Sequence, residues 1–195
     1  MATVDSLPTE VFGSGNITWW AALGGEIIEG FVLVLAVFAY FYLRHEAPDW
    51  PPLHTPLPSL RAPTINLILM AVSILPAWWA ARAARNEDRF NTAIGLVLHT
   101  LIGTAILVVR YYECRALNVR WDTNAYGSIA WALLFSHGYM ALFDVFDTAG
   151  LAILCLRLEP EQQHYADVGD NSFFWYFVLT TWIPLYVLVF LSPRM

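Results

Sequence analysis

The stretch that most constrains the fold of this chain is residues 25–44, GEIIEGFVLVLAVFAYFYLR, an apolar run of helix length that contains two glutamates. If this run spans a membrane, Glu29 lies about 15 Å along the helix from the Trp19–Trp20 pair, close to the middle of a hydrocarbon core about 30 Å thick. An ionisable group at that depth is unfavourable unless it is protonated or paired, so Glu29 is a candidate functional residue. Glu26, one turn nearer the interface, is a second candidate for a proton-related role. The alternative is that Glu29 only hydrogen-bonds a neighbouring helix.

Composition indicates an integral membrane protein, because 58% of the residues are hydrophobic and 13% are charged, against about 25% charged in soluble domains. The uncharged runs predict an all-α integral membrane bundle of five transmembrane helices in a single domain over residues 1–195. The predicted helices cover about 18–44, 64–85, 90–112, 124–157 and 171–192. A proline-rich loop, 47–63, follows the first helix, and a short acidic loop, 159–170, precedes the fifth.

Charge and the N-terminal residues exclude other classes. The net charge is −6 and the basic residues are dispersed through the loops, which argues against a nucleic acid partner. Residues 1–17 contain Asp5 and Glu10 and no basic residue, so no cleavable signal peptide is expected. The arginines divide too evenly between alternate loops to orient the helices in the membrane.

The fourth predicted helix contains a second set of polar side chains. His137, Met140, Asp144 and Asp147 follow one another at spacings of three, four and three residues, so they share one helix face. This face and the glutamates of the first helix form two acidic stripes, which are expected to face each other or the interior. Carboxylates with an imidazole can form a proton path or a metal site. The alternative is that the helix leaves the membrane near Asp144, so that both aspartates are solvated.

Two histidines lie about half-way along their predicted helices, His99 in the third and His137 in the fourth. At similar depth in an antiparallel pair they could ligate a haem, although such histidines are more often packing or proton-relay groups. With Asp144 and Asp147 they form an alternative metal- or haem-binding set, for which no spacing is a specific motif. A small proton-coupled transporter that uses Glu29 is a third hypothesis, disfavoured because the chain has no internal repeat.

From about residue 24 to residue 192 the sequence resembles the cytochrome c oxidase subunit III family, in the shortened five-helix form of some bacterial haem-copper oxidases. The family's first-helix glutamate, its aromatic run and its arginine are matched by Glu29, Phe31, Phe38, Tyr40, Phe41 and Arg44. The loop, third-helix, His-Gly and final-helix signatures are matched by Trp50-Pro51-Pro52, Glu113, His137-Gly138, Trp175, Phe177, Val178 and Trp182.

The sequence also departs from the family pattern. The second histidine of the family's His-Gly-x-His element is Met140 here, and the final-helix His and Asp are Tyr176 and Leu179. Asp144 and Asp147 have no counterpart in the pattern. The resemblance therefore indicates a divergent branch.

The resemblance implies a non-catalytic accessory subunit of an oxidoreductase complex in the bacterial cytoplasmic membrane. It implies no cofactor in this chain, with haem and copper in a catalytic subunit I and with a subunit II as a further partner. Glu29 would be the intramembrane carboxylate that supports proton uptake. A bound phospholipid would involve His137, Glu113 and Arg157, since an arginine can pair bidentately with a phosphate. The related partner protein of some nitric oxide reductases is the alternative within the resemblance.

Overall fold

Five long helices make up most of the computed structural model, which describes residues 12–195. They are α1 (Ile17–Glu46), α2 (Arg61–Ala84), α3 (Arg89–Ala116), α4 (Ala125–Arg157) and α5 (Gln162–Tyr186), and a π-helical turn, Val187–Leu191, continues α5. All five are long and apolar enough to cross a membrane, which confirms the predicted all-α bundle of five spanning helices. Asp5 and Glu10, which carry the expectation about a signal peptide, lie outside the described residues.

The first four helices begin and end within four residues of the predicted positions, but the predicted start of α5 is wrong. The range 159–170 was expected to be a loop, whereas α5 begins at Gln162. The helix starts early because Glu161 and His164 form a capping box, in which the Glu161 backbone N–H donates to His164 Nδ1 over 3.0 Å. As a result, Asp167 and Asp170 are part of a helix and not of a loop.

Helices α2, α3, α4 and α5 each pack antiparallel against the next, whereas α1 packs mainly against α4 and α5 and runs in the same direction as α5. Small residues allow the closest approaches: a Cβ atom at Gly95 of α3 would lie 2.9 Å from the Ala80 backbone of α2. At Gly103 it would lie 2.5 Å from Val145 Cγ2 of α4. Small residues at helix crossings are typical of membrane bundles, because packing between helices replaces the hydrophobic effect there. These crossings fix how α2, α3 and α4 sit against one another.

Helix α1 lies at the edge of the bundle and buries one narrow stripe, formed by Glu26, Leu33 and Tyr40 at intervals of seven residues. Most of its other large apolar side chains are exposed, as Phe31 and Phe38 illustrate. Such a surface suits contact with lipid or with another membrane protein. Glu26 is therefore the one charged residue of the buried stripe.

The proline-rich loop is tied to the end of the bundle at which α1 ends. Trp50 Nε1 donates to the Tyr40 hydroxyl over 2.9 Å, and that hydroxyl lies 2.8 Å from Ser192 Oγ. The Ser59 N–H donates to the Ala116 carbonyl over 2.7 Å. We call this the far end of the bundle, and the end at which α1 begins the near end.

Candidate functional site: two buried polar regions

The first polar region, which we call the arginine cluster, consists of Arg110 and Glu113 of α3, His137 of α4 and Trp182 of α5. Arg110 Nη1 lies 2.7 Å from Glu113 Oε2, and the two residues are one helical turn apart on α3. The Arg110 guanidinium also lies over the Trp182 ring, 3.9 Å from its centroid. In this low-dielectric position the carboxylate and the aromatic face both compensate the positive charge.

His137 links the arginine cluster to α5. Arg110 Nη2 donates to His137 Nδ1 over 2.9 Å, and His137 Nε2 donates to the Val178 carbonyl over 2.8 Å. An arginine can only donate and a carbonyl can only accept, so the imidazole is neutral with its proton on Nε2. Both ring nitrogens are thus used, and the side chain is fully buried.

The arginine cluster is closed to solvent, since Glu113 and His137 are fully buried and Arg110 nearly so. Its charges are paired and its imidazole has no free nitrogen, so it is suited to joining α3, α4 and α5. Removal of one member would leave an uncompensated buried charge or an unpaired donor.

The second polar region, which we call the acidic cavity, lies towards the near end between α1, α4 and α5. It has a volume of about 490 Å³, and five carboxylates line it: Glu29, Asp144, Asp147, Asp167 and Asp170. Three helices supply these groups, because the early start of α5 brings Asp167 and Asp170 onto the same cavity as the α4 aspartates.

At the closed side of the acidic cavity an amide connects the two aspartates of α4. Asn171 Nδ2 lies 3.3 Å from Asp144 Oδ1 and 3.1 Å from Asp147 Oδ2, and it donates to both. Thr148 Oγ1 lies 3.0 Å from Asn171 Oδ1 and 3.4 Å from Asp144 Oδ2. A hydroxyl has one proton to donate, so the Asp144 carboxylate has few strong donors. Asp144 is nevertheless 1% exposed, whereas Asp147 is exposed.

His99 of α3 faces Asp144 from behind the acidic cavity. Its Nε2 lies 3.7 Å from Asp144 Oδ2, and its ring packs against Trp175 with 4.9 Å between centroids. The side chain is 1% exposed, and neither ring nitrogen has a hydrogen-bond partner. His99 is therefore a buried titratable group placed next to a buried carboxylate.

Of the two glutamates of α1, Glu29 lines the acidic cavity and Glu26 is buried one helical turn away. Glu26 is 5% exposed, its Oε1 has no hydrogen-bond partner, and it lies near Glu29 and Asp170. Glu29 is half-buried, and it borders both the acidic cavity and an apolar groove of about 440 Å³ between α1 and α4. The sequence emphasised Glu29, but Glu26 is the more deeply buried of the two.

The three residues assigned to a lipid by resemblance do not lie together. Glu113 and His137 are inside the arginine cluster, whereas Arg157 is exposed at the near end of α4. Twenty residues separate His137 from Arg157 along α4, which corresponds to about 30 Å. A single headgroup cannot contact all three.

The alternative ligand set of His99, His137, Asp144 and Asp147 is also divided. His99 meets Asp144, while His137 is held by Arg110, and Asp144 lies about 10 Å along α4 from His137. Over residues 12–195 no three His, Cys, Asp or Glu side chains are arranged to hold a metal ion. The predicted four-residue set is therefore wrong as a single site.

Sequence reasoning missed several members of these regions. Arg110 was not considered as part of a site, although its spacing of three residues from Glu113 could have indicated a pair on one helix face. Asp167, Asp170 and Asn171 were assigned to a loop or a helix end. Their spacing of three and one places them on one helix face, which was a usable signal.

The fold and its buried polar groups define a polytopic α-helical membrane protein in which several charged side chains face the bundle interior. No family model matches the chain. Three relatives share the name cytochrome c oxidase subunit 3. The protein of Synechocystis sp. is 29% identical over 159 residues, which is 78% of this chain and 66% of the relative. The protein of Yarrowia lipolytica is 23% identical over 175 residues, which is 84% of this chain and 64% of the relative. The protein of Papio hamadryas is 26% identical over 163 residues, which is 78% of this chain and 61% of the relative.

These matches confirm the resemblance found in the sequence, and they support a divergent member of the cytochrome c oxidase subunit III family. The aligned part spans slightly less than two thirds of the length of these relatives.

Proposed function

We propose that the chain is a non-catalytic accessory subunit of a respiratory haem-copper oxidase. The observation that carries this proposal is the similarity to proteins named cytochrome c oxidase subunit 3 over about four fifths of the chain. The positions of the candidate ligands support it, because His137 is already bound by Arg110 and the Val178 carbonyl. Haem and copper would then belong to a catalytic subunit I, with subunit II as a second partner, in a bacterial cytoplasmic membrane.

The arginine cluster would give such a subunit a rigid frame. It joins three helices near the far end, while the Gly95 and Gly103 crossings join α2, α3 and α4. A rigid frame leaves the exposed apolar face of α1 and the acidic cavity as the parts available for contact or proton exchange.

Support of proton uptake is proposed for Glu29 and Glu26. Both carboxylates have an oxygen without a hydrogen-bond partner, and Glu29 borders the acidic cavity as well as the α1–α4 groove. A carboxylate that lies between a polar cavity and the membrane can exchange protons with groups on either side.

Phospholipid binding is proposed for two separate places. An apolar groove of about 440 Å³ between α3 and α4 could hold an acyl chain, with Arg115 beside it to pair with a phosphate. Arg110 and Gly138 form part of its wall, so His137 and Glu113 would act by holding Arg110 in place. Arg157 would contact a headgroup at the near end.

Copurification tests the assignment to an oxidase. The chain would be tagged in its native host, extracted in a mild detergent, and its stoichiometric partners identified by mass spectrometry. Recovery of a large polytopic haem-copper subunit with a cytochrome c or copper-binding partner is the expected result, and the identity of that subunit separates an oxygen reductase from a nitric oxide reductase. Recovery of the chain alone, or with stoichiometric haem bound to the isolated chain, would contradict the proposal.

A Glu29→Gln variant tests the proton-related role. Gln keeps the shape and polarity of the side chain but cannot release a proton, so assembly should be unchanged while activity declines faster during sustained turnover. Glu46→Gln at the exposed end of α1 is the matched control. Equal long-term activity of wild type and Glu29→Gln would limit Glu29 to a packing role.

A further inference from the structure

We infer that Asp144 and His99 form a proton-binding site at the closed side of the acidic cavity, loaded from the near end through the carboxylates that line it. The inference concerns this chain's own residues and does not depend on the proposed partner. Neither residue belongs to the motifs that carry the family resemblance.

The acidic cavity and its surroundings carry more acidic than basic groups. From α1, Glu26 and Glu29 face this region; from α4, Asp144 and Asp147; from α5, Asp167 and Asp170. The basic groups near it are His99 of α3, His164 of α5, which lies near Asp167, and Arg85 at the end of α2, which shares a neighbouring pocket with Asp170. Six carboxylates around one cavity repel one another when all are ionised, and the buried Asp144 is the least compensated by solvent, so the region favours the binding of additional positive charge.

The hydrogen bonds of Asn171 indicate which kind of positive charge the acidic cavity binds. Asn171 directs its NH₂ group towards Asp144 and Asp147, so a donor occupies the place between these carboxylates that a metal ion would take. Metal ions of the hard class prefer oxygen ligands, and the Asn171 carbonyl oxygen is engaged by Thr148. Together with the lack of a three-ligand set over residues 12–195, this arrangement favours protons.

His99 and Asp144 form a pair that can exchange a proton. A proton that reaches the Asp144 carboxylate gives a neutral carboxylic acid, and its transfer to His99 Nε2 gives an imidazolium and restores the carboxylate. The distance of 3.7 Å between Nε2 and Oδ2 needs only a small closure for this transfer. Since both His99 ring nitrogens lack partners, the ring can accept the proton without breaking an existing hydrogen bond.

The aspartates of the acidic cavity form a route for protons between Asp144 and the near end. Measured along its own helix, Asp170 lies about 12 Å from the start of α5, while Asp147 and Asp144 lie about 15 Å and 20 Å from the end of α4. The carboxylates are therefore graded in depth. Of these three cavity-lining aspartates, only the deepest, Asp144, is buried, while Asp170 is half-buried and Asp147 is exposed.

Infrared spectroscopy of the full chain in lipid nanodiscs, with ¹³C-carboxyl-labelled aspartate, tests the site. At neutral pH the wild type should show the C=O stretch of a protonated aspartic acid, and Asp144→Asn should lose that band. Asp122→Asn is the matched control, because Asp122 lies in an exposed ion pair with Arg120, and the band should persist. His99→Gln should shift the pH at which the band titrates.

Several outcomes would overturn the inference. A wild type without a protonated aspartate at neutral pH would do so whatever the folding of the variants, as would a band that survives in folded Asp144→Asn. Loss of the band on addition of Na⁺, Mg²⁺ or Ca²⁺ at fixed pH would show a cation site instead. Because the band is measured on the chain alone, these outcomes are independent of the copurification result.

Discussion

The arginine cluster and the acidic cavity are built from similar side chains but differ in how their charges are compensated. In the arginine cluster, Glu113 lies 2.7 Å from a guanidinium and His137 uses both ring nitrogens. In the acidic cavity, Asp144 has only an amide, a shared hydroxyl and a histidine at 3.7 Å near it. Burial is nearly complete for all of these groups, so partners, and not depth, distinguish the two regions.

The comparison indicates that a buried charge has two different uses in this bundle. A paired charge holds helices in one arrangement, and its loss is destabilising. An unpaired carboxylate destabilises the fold when ionised, so its presence favours a functional explanation. The first region matches the family pattern at Glu113 and His137, whereas Asp144 of the second has no counterpart there.

The largest effect is expected from Arg110→Met, which removes the positive charge of the arginine cluster and leaves Glu113 buried without a partner. We expect a loss of roughly 3–5 kcal/mol in the free energy of unfolding. Thermal unfolding in detergent, followed by tryptophan fluorescence, would measure it. The double variant Arg110→Met/Glu113→Leu should recover much of the loss, and the exposed Arg120→Met is the control. Equal midpoints for Arg110→Met and Arg120→Met would contradict the structural role.

The next effect concerns Gly103, which lies on α3 four residues after His99 and faces Val145 beside Asp144. Gly103→Ala would place a Cβ atom 2.5 Å from Val145 Cγ2, so the Val145 side chain must change rotamer or α3 and α4 must separate. We expect roughly 1–3 kcal/mol of destabilisation, together with a change in the pH titration of His99. Combining it with Val145→Ala should restore both properties. A stable Gly103→Ala variant with an unchanged titration would show that the two helices are less tightly apposed.

Replacement of either buried histidine is expected to have a smaller effect on stability, and the two replacements are expected to differ. His137→Gln disrupts two buried hydrogen bonds and should cost about 1–2 kcal/mol, because a glutamine cannot satisfy both Arg110 and the Val178 carbonyl in the same geometry. His99→Gln removes no hydrogen bond and should change the unfolding midpoint less. The same fluorescence measurement applies to both. A larger loss for His99→Gln would reverse the assignment of the two regions.

The smallest effect is expected from Asp88, which caps the start of α3 at the membrane surface and serves as a reference. The hydrogen bonds from the side chain and then the backbone N–H of Asn91 lower the pKa of Asp88 below its usual value of 3.8. A lowered folded-state pKa stabilises the fold above the ordinary aspartate range, and this contribution is lost as the pH falls through the lower value. Asp88→Ala should therefore show a flatter decline of stability in acid than the wild type. An unchanged acid profile would mean that the cap contributes little.

The sequence predicted the number and type of helices because uncharged runs of spanning length have few other folds available. It also placed Asp144 and Asp147 on one face of α4. The sequence did not predict that Asp144 is buried and Asp147 exposed, because this difference depends on the position of α5. The start of α5 was missed because Asp167 and Asp170 were taken as loop residues. The pairing of Arg110 with His137 depends on the register between α3 and α4, which a single sequence does not fix.

The central claim is tested most directly by the thermal unfolding of two matched charge-neutralising variants, Glu113→Gln and Asp144→Asn. The first leaves Arg110 buried without its counter-charge, and its unfolding midpoint should fall well below that of the wild type. The second keeps the shape of Asp144 while removing its capacity for charge, so its midpoint should equal or exceed that of the wild type. A fall of similar size in both variants would contradict the account, because the two carboxylates would then contribute to stability in the same way.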